Sequence, residues 1–187
     1  MPLITTQSAK GYGWGSAPGA PAGDFESIQT VTTTAGQSSI SLTSIPSTYK
    51  HLQVRMSNIR YQGDQLIKIT YNSNGSAIYG THTFIGNGSV VASSGGGSNT
   101  RWDALYVPNN GGSPNIGMTA ILDIHDYTAG KNTGSRLLLG VDFNGSGRVG
   151  IEDCAFLSTT PIDTITFAPF STTFIAGCKF ALYGIKG

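Results

Sequence analysis

Short runs of β-branched and aromatic residues, separated by clusters of Gly, Asn, Pro and Ser about every 8–15 residues, extend from Phe25 to the end of the chain. This spacing is typical of antiparallel sandwiches and barrels, whose short strands are joined by tight turns. No window shows a sustained apolar period of 3.6 residues, so we expect almost no helix. The pattern predicts an all-β fold, namely an antiparallel, jelly-roll-like β-sandwich of about ten short strands.

The composition favours the same fold class. Only 11% of the residues are charged, whereas 20 Ser, 21 Thr and 10 Asn supply hydroxyl and amide groups, and 26 residues are Gly. Short polar side chains compete for backbone hydrogen bonds, and Gly costs about 1 kcal/mol in a helix interior. The polar surface is therefore expected to be largely neutral and to be carried by strands and turns.

A first antiparallel pairing is predicted between residues 52–56 and 67–71, where apolar residues alternate with polar ones. Antiparallel partners have position numbers with a constant sum, and a sum of 123 places Leu52 opposite Tyr71 and Val54 opposite Ile69. These residues would line one face of a hairpin that packs into the core.

A second hairpin is predicted between residues 118–126 and 135–143. A sum of 261 places Leu122 opposite Leu139 and directs Asp123 and Leu138 outward, with a diagonal surface ion pair between Asp123 and Arg136. Further strands are expected at 26–33, 38–43, 101–107, 148–157, 162–168 and 173–184.

Two regions are expected within the 187 residues. Residues 1–24 are rich in Gly and Pro and have no regular apolar period, so we interpret them as an extended arm that cannot fold alone. Residues 25–187 are close to the size of one ordinary domain and are predicted to form a single β-sandwich.

Charge and hydropathy argue against several classes of partner. The net charge is +1, and the 11 Lys and Arg are scattered, which disfavours nucleic-acid binding. No apolar stretch approaches the roughly 20 residues needed to cross a bilayer, and the N-terminus lacks the apolar segment of a secretory signal. We therefore expect synthesis in the cytosol and no insertion into a membrane.

The two cysteines, Cys154 and Cys178, are too few for a disulfide framework and are expected to be buried free thiols.

Two short motifs have structural interpretations that outweigh their functional ones. Residues 145–150 (GSGRVG) match a dinucleotide-binding pattern, but a strand-like segment follows instead of a helix, so we predict a hairpin turn. Asn-Gly-Ser occurs at Asn74, Asn87 and Asn144, where tight turns are favoured over glycosylation because Asn-Gly readily adopts positive φ.

The acidic and histidine residues give little support to catalysis. Asp123, His125 and Asp126 crowd together, but a metal site needs further ligands, so we expect a polar surface cluster with no metal and no cofactor. No nucleophile elbow accompanies the three histidines. Paired carboxylates can come from anywhere in a chain, so a polysaccharide-degrading enzyme stays open as a distant alternative.

Two aromatic residues are candidates for contact with a partner. Trp102 and Tyr106 share a strand face in the segment TRWDALYVP, where aromatic rings beside Asn and Asp could stack on sugars. Trp102 could equally fill the core. The sequence leaves both interpretations open.

Two segments of the chain resemble virion proteins of tailed bacteriophages, including phages of cyanobacteria and marine bacteria. The arm segment QSAKGYGWG is similar to a Ser-Ala-Arg-Gly-Tyr-Gly-Phe type of peptide found in tail, fibre and connector proteins, with Lys10 in place of Arg and Trp14 in place of Phe. Residues 25–187, from FESIQTVTT through DIHDYTAGKN to the closing LYGIKG, resemble a recurrent β-rich domain of such proteins.

The resemblance implies a structural protein of the virion, assembled in the host cytoplasm, and the lack of catalytic motifs leads us to expect that it is not an enzyme. It implies a homotrimeric subunit that docks on other virion proteins through its arm and presents its β domain outward. We expect a tail-fibre or receptor-binding subunit whose β domain contacts host surface glycan, because neutral Ser, Thr and Asn side chains can bind sugars with little charge to desolvate. The expected anchor residues are Lys10, Gly11, Tyr12, Gly13 and Trp14, because aromatics can fill pockets of a partner while glycines let the backbone lie close to it. A capsid cement or head-decoration protein is the main alternative.

Overall fold

The computed structural model describes residues 23–61, 65–107 and 116–187, with the backbone alone for residues 65 and 105–107. These residues form twelve antiparallel strands in two sheets and no helix, so the predicted all-β sandwich is confirmed. Within these ranges, no helix is long and apolar enough to cross a membrane. The strands are β1 (Phe25–Thr32), β2 (Ile40–Leu42), β3 (His51–Ile59), β4 (Gln65–Tyr71), β5 (Tyr79–Gly86), β6 (Val91–Asn99), β7 (Trp102–Val107), β8 (Met118–His125), β9 (Thr133–Asp142), β10 (Gly147–Phe156), β11 (Ile165–Pro169) and β12 (Lys179–Ile185).

The strand order is that of a jelly roll with two additional hairpins. The larger sheet has the order β1-β12-β3-β8-β9-β10-β5-β6, and the smaller sheet has the order β2-β11-β4-β7. Without β5, β6, β9 and β10, the chain is a set of nested pairs, β1 with β12, β2 with β11, β3 with β8 and β4 with β7. Successive pairs alternate between the two sheets, which is how a long hairpin rolls up into a sandwich.

The two additional hairpins extend only the larger sheet. β9 pairs with β8, and β10 then pairs with β5, so the hairpins β9–β10 and β5–β6 add four strands to one edge. The segment of β6 from Val91 to Ser98 is exposed at every position, so neither face of this edge strand is covered by the described residues. The larger sheet therefore projects beyond the smaller one.

The first predicted hairpin is wrong, because its two strands belong to different sheets. β3 pairs with β12 and β8, and Leu52 lies opposite Gly184 and Ile124. β4 pairs with β11 and β7 in the smaller sheet. The alternation correctly predicted that Leu52, Val54, Ile67 and Ile69 are buried, but alternation does not specify which strand lies alongside.

The second predicted hairpin is confirmed as a pair of strands, with a register two residues away from the prediction. β8 and β9 pair with Leu122 opposite Leu137, and Asp123 lies directly opposite Arg136. A shift by two keeps every side chain on its predicted face, so the outward position of Leu138 is correct. Arg136 forms its ion pair with Asp153 of β10 instead, at 3.6 Å.

All three Asn-Gly signals lie in turns, and two of these turns join the strands of a hairpin. Asn87-Gly88 joins β5 to β6, and Asn144-Gly145 joins β9 to β10, with positive φ at Gly88, Asn144 and Gly145. The GSGRVG segment is accordingly a hairpin turn that runs into β10. Asn74 also lies in a turn, but that turn connects strands of different sheets.

The core lies between the sheets and includes a cluster of aromatic residues beneath the extension. Tyr71 and Tyr79 both pack on Phe156, with ring centroids 5.2 Å away. The Tyr71 hydroxyl donates to Ser135 Oγ at 2.8 Å, and the Tyr79 hydroxyl accepts from the Tyr71 amide at 3.0 Å. Burial raises the pKa of Tyr71 and Tyr79, so both remain neutral donors.

Candidate functional site: the outer face of the larger sheet

An exposed row of large apolar side chains crosses four adjacent strands on the outer face of the larger sheet. The register places Ile121 of β8 opposite Leu138 of β9, Leu138 opposite Ile151 of β10, and Ile151 opposite Phe84 of β5. Their exposed fractions are 37%, 54%, 49% and 56%. We call these four residues the apolar row. Large contiguous apolar patches on a protein surface mark sites of interaction with other proteins or ligands.

A shallow groove runs beside the apolar row. Val149, which is 66% exposed, lies between Gly140 of β9 and Gly86 of β5. No atom lies within 4 Å of the position that a Cβ would occupy at either glycine, so these positions are open. The groove has a volume of about 490 Å³ and continues to the turn between β9 and β10.

A row of polar side chains flanks the apolar row on its other side. Gln53 donates to Asp123 at 2.8 Å, Arg136 lies 3.6 Å from Asp153, and the next residue across the sheet is His82. Arg136 and Asp153 are exposed, so their ion pair contributes little to stability. Their geometry instead gives the face an apolar centre with a hydrogen-bonding border, which is the anatomy of a protein interface.

A cluster of aromatic rings and a guanidinium group lies at the β1 end of the same face. Phe25 and Tyr183 stack with ring centroids 4.8 Å apart, and the Arg55 guanidinium lies 5.0 and 5.3 Å from the two centroids. Arg55 is also the cross-strand neighbour of Ile121. The cluster therefore continues the apolar row toward β1.

The closing LYGIKG segment holds β1 in place. Lys186 Nζ lies 2.7 Å from Glu26 Oε1, and the Tyr49 hydroxyl donates to Glu26 Oε2 at 2.8 Å; both bonds lower the pKa of Glu26. The Tyr49 ring lies on Gly184, where an added Cβ would come within 2.3 Å of it. The Lys186 amide also donates to the Asp24 carbonyl at 2.9 Å. The distinctive end of the chain thus fixes the base of the predicted arm.

Of the predicted receptor-facing aromatics, Trp102 is buried. It is 0% exposed and faces the larger sheet with Ala104, since alternate residues of β7 point into the core. The alternative that it fills the core is correct, and the exposed interpretation is wrong. Tyr106 lies in β7, but its side chain is outside the described part of the structure.

The predicted anchor residues Lys10, Gly11, Tyr12, Gly13 and Trp14 lie outside the described residues. Their proposed role stays a prediction.

The Asp123, His125 and Asp126 cluster is divided among separate partners. Asp126 lies 2.7 Å from Lys131 Nζ and 3.1 Å from Lys50 Nζ, and hydrogen bonds from these lysines lower its pKa to about 2. Asp123 binds Gln53 on the neighbouring strand. Across the ranges described, no three His, Cys, Asp or Glu side chains lie close enough together to hold a metal ion.

Both cysteines are buried free thiols, as predicted. Burial raises the pKa of Cys154 to about 12, so its thiol is protonated at neutral pH and is a poor nucleophile. Cys178 is held by hydrogen bonds with the Arg60 amide and with the carbonyls of Arg60 and Ile175. These bonds connect the segment after β3 with the loop before β12, which is a structural role.

Comparison with known proteins adds no family assignment. No protein-family model, curated protein or solved structure matches this chain.

Sequence reasoning missed most of the apolar row. Ile151 and Phe84 alternate with inward-facing residues, which was a usable signal for exposed positions. Ile151 lies in the predicted strand 148–157, whereas Phe84 lies in a Gly- and Ser-rich segment for which no strand is predicted.

Proposed function

We propose that this chain is a non-enzymatic structural subunit of a tailed-phage particle that joins its neighbours through the outer face of the larger sheet. The observation that carries the proposal is the apolar row, since four exposed apolar side chains on adjacent strands are costly to leave in water. When a partner covers a side chain that is already half-buried, the burial contributes about 1 kcal/mol to the free energy of binding, so this row suits an assembly surface. The resemblance of the arm and of the closing segment to virion proteins supplies the phage context.

The first position we propose is in a tail fibre or receptor-binding assembly. The low charge of the chain supports it, because neutral hydroxyl and amide groups bind sugars with little charge to desolvate. The predicted arm would dock on virion proteins, and homotrimers would form as the resemblance implies. Trp102 no longer serves as a glycan-contacting candidate, because it lies in the core.

A capsid cement or head-decoration protein is the second candidate. The apolar row favours it, since a cement protein acts by burying surface against neighbouring subunits rather than by binding sugar. Locating the chain in an intact particle by cryo-electron microscopy separates the two candidates. Density in a tail structure supports the fibre position, copies at the local threefold axes of the shell support cement, and absence from purified particles refutes both.

A matched pair of leucine substitutions tests the assembly surface. Leu138 lies in the apolar row and is 54% exposed, while Leu157 is 50% exposed and lies past the end of β10. Neither Leu138→Arg nor Leu157→Arg should change the free energy of unfolding by more than about 0.5 kcal/mol, because both positions are exposed. Only Leu138→Arg should reduce incorporation into particles. Equal incorporation of the two variants would refute this choice of face.

A further inference from the structure

The β6 edge of the larger sheet differs from the other three sheet edges. β2 has only three residues, β1 carries Glu26 and a register irregularity after Ser27, and β7 carries Asp103 beside Arg101. Short length, charges and bulges are the usual devices that prevent an edge from pairing with another chain. β6 has nine residues, no charge and no proline, and is exposed along both faces from Val91 to Ser98. Its one register irregularity lies between Gly96 and Asn99, so the segment from Val91 to Gly95 pairs regularly and has none of these protections.

The hydrogen bonds of the β5–β6 hairpin indicate which backbone groups of β6 point outward. The Asn87 amide donates to the Val90 carbonyl at 3.2 Å, which makes this a hydrogen-bonded pair. Because antiparallel pairs alternate, the amides and carbonyls of Val91, Ser93 and Gly95 are directed away from β5. Three consecutive outward positions offer up to six backbone hydrogen bonds to an added strand.

We propose that two copies of this chain join through antiparallel pairing of β6 with β6. A second copy fits this edge because the two β6 strands have the same length. Because β6 carries no charge, pairing also places no like charges opposite each other. The N-terminal segment of the same chain, which leads into β1 at the opposite edge of the eight-stranded sheet, is the competing occupant that the hydrogen-exchange experiment below tests. The pairing is independent of the virion role proposed above.

The pairing has a consequence for the apolar row. Antiparallel neighbours in a sheet keep corresponding faces on the same side. The outer faces of the two copies would therefore form one continuous surface. Ser93 of β6 lies opposite Phe84, so the apolar rows of both copies would lie on that surface.

Ser93→Pro tests the pairing without breaking the hairpin. Proline removes an outward amide, which edge strands tolerate, and Ser93→Ala is the matched control that keeps the amide. We expect sedimentation velocity of the full chain to show that Ser93→Pro halves the mass of the assembly, from dimer to monomer or from paired trimers to single trimers. Ser93→Ala should leave the mass unchanged. A monomeric wild-type chain, or an assembly whose mass Ser93→Pro does not change, would overturn the proposal.

Amide hydrogen exchange identifies the strand that pairs. The amides of Val91 and Gly95 should be protected in the wild-type assembly, and should lose that protection on dilution and in Ser93→Pro. Protection that does not depend on concentration would show that part of the same chain covers β6, and would refute pairing between copies. Fast exchange at all concentrations would refute it as well.

Discussion

Replacing Trp102 tests the placement of this residue in the core rather than on a receptor-facing surface. Its side chain is fully buried, and its indole N–H has no hydrogen-bond partner among the described residues. Trp102→Ala removes a large buried ring and leaves a cavity, for which we expect a loss of about 3–5 kcal/mol in the free energy of unfolding. For a domain with a typical stability of about 5–15 kcal/mol, such a loss is severe.

Trp102→Phe should behave differently because two effects oppose each other. The smaller ring loses roughly 1–2 kcal/mol of burial and packing, while removal of an unsatisfied buried N–H recovers roughly 1–3 kcal/mol. The variant should therefore unfold within about 1 kcal/mol of the wild type. The difference between the Ala and Phe variants isolates the contribution of the ring.

The assay is urea unfolding followed by circular dichroism and by tryptophan fluorescence. The chain has two tryptophans, so a Trp14→Phe background makes the fluorescence report on Trp102 alone. The native emission should be shifted to the blue and should move to the red as the chain unfolds. Native emission like that of free tryptophan in water, or a Trp102→Ala cost below about 1 kcal/mol, would refute burial of this residue.

Three further outcomes are expected. The folded-state pKa of Asp126 is about 2, below its usual value of 3.8, so its carboxylate contributes stability above about pH 4 that is lost as the pH falls toward 2. The Tm difference between the wild type and Asp126→Asn should therefore shrink over that range, and a difference that does not change with pH would contradict this. Neither cysteine should react with iodoacetamide until urea unfolds the chain, as measured by mass spectrometry; alkylation of the native protein would show that a thiol is accessible. Gly184→Ala should lower stability by about 1–3 kcal/mol because its methyl group would clash with the Tyr49 ring, whereas Gly134→Ala, with open space at the Cβ position, should cost less in the same thermal unfolding assay.

The fold class was predictable because it depends on local properties. Residue types that favour strands, turn signals and the absence of a helical period all act over a few residues, and they correctly predicted the sandwich and the β8–β9 hairpin. The β3–β4 hairpin failed because two neighbouring strands of a jelly roll can lie in different sheets. Only the packing of one sheet on the other determines that choice.

The candidate site was less predictable from the sequence than the fold class, because it depends on the tertiary structure. Alternation within each strand marks Leu138 and Ile151 as outward positions, but only the register across four strands brings them beside Phe84 and Ile121. The strand containing Phe84 was not predicted, because backbone pairing with β10 stabilises β5 despite its glycines.

The sequence by itself determined the all-β class, the buried thiols and the turns at Asn87 and Asn144, because each rests on the conformational preference or polarity of residues close together in the chain. The tertiary structure decided which strands pair, that Trp102 faces the core, and that an apolar row and an unprotected edge lie on one sheet. These features arise from contacts between segments far apart in the chain, and no local pattern specifies which partner a strand meets.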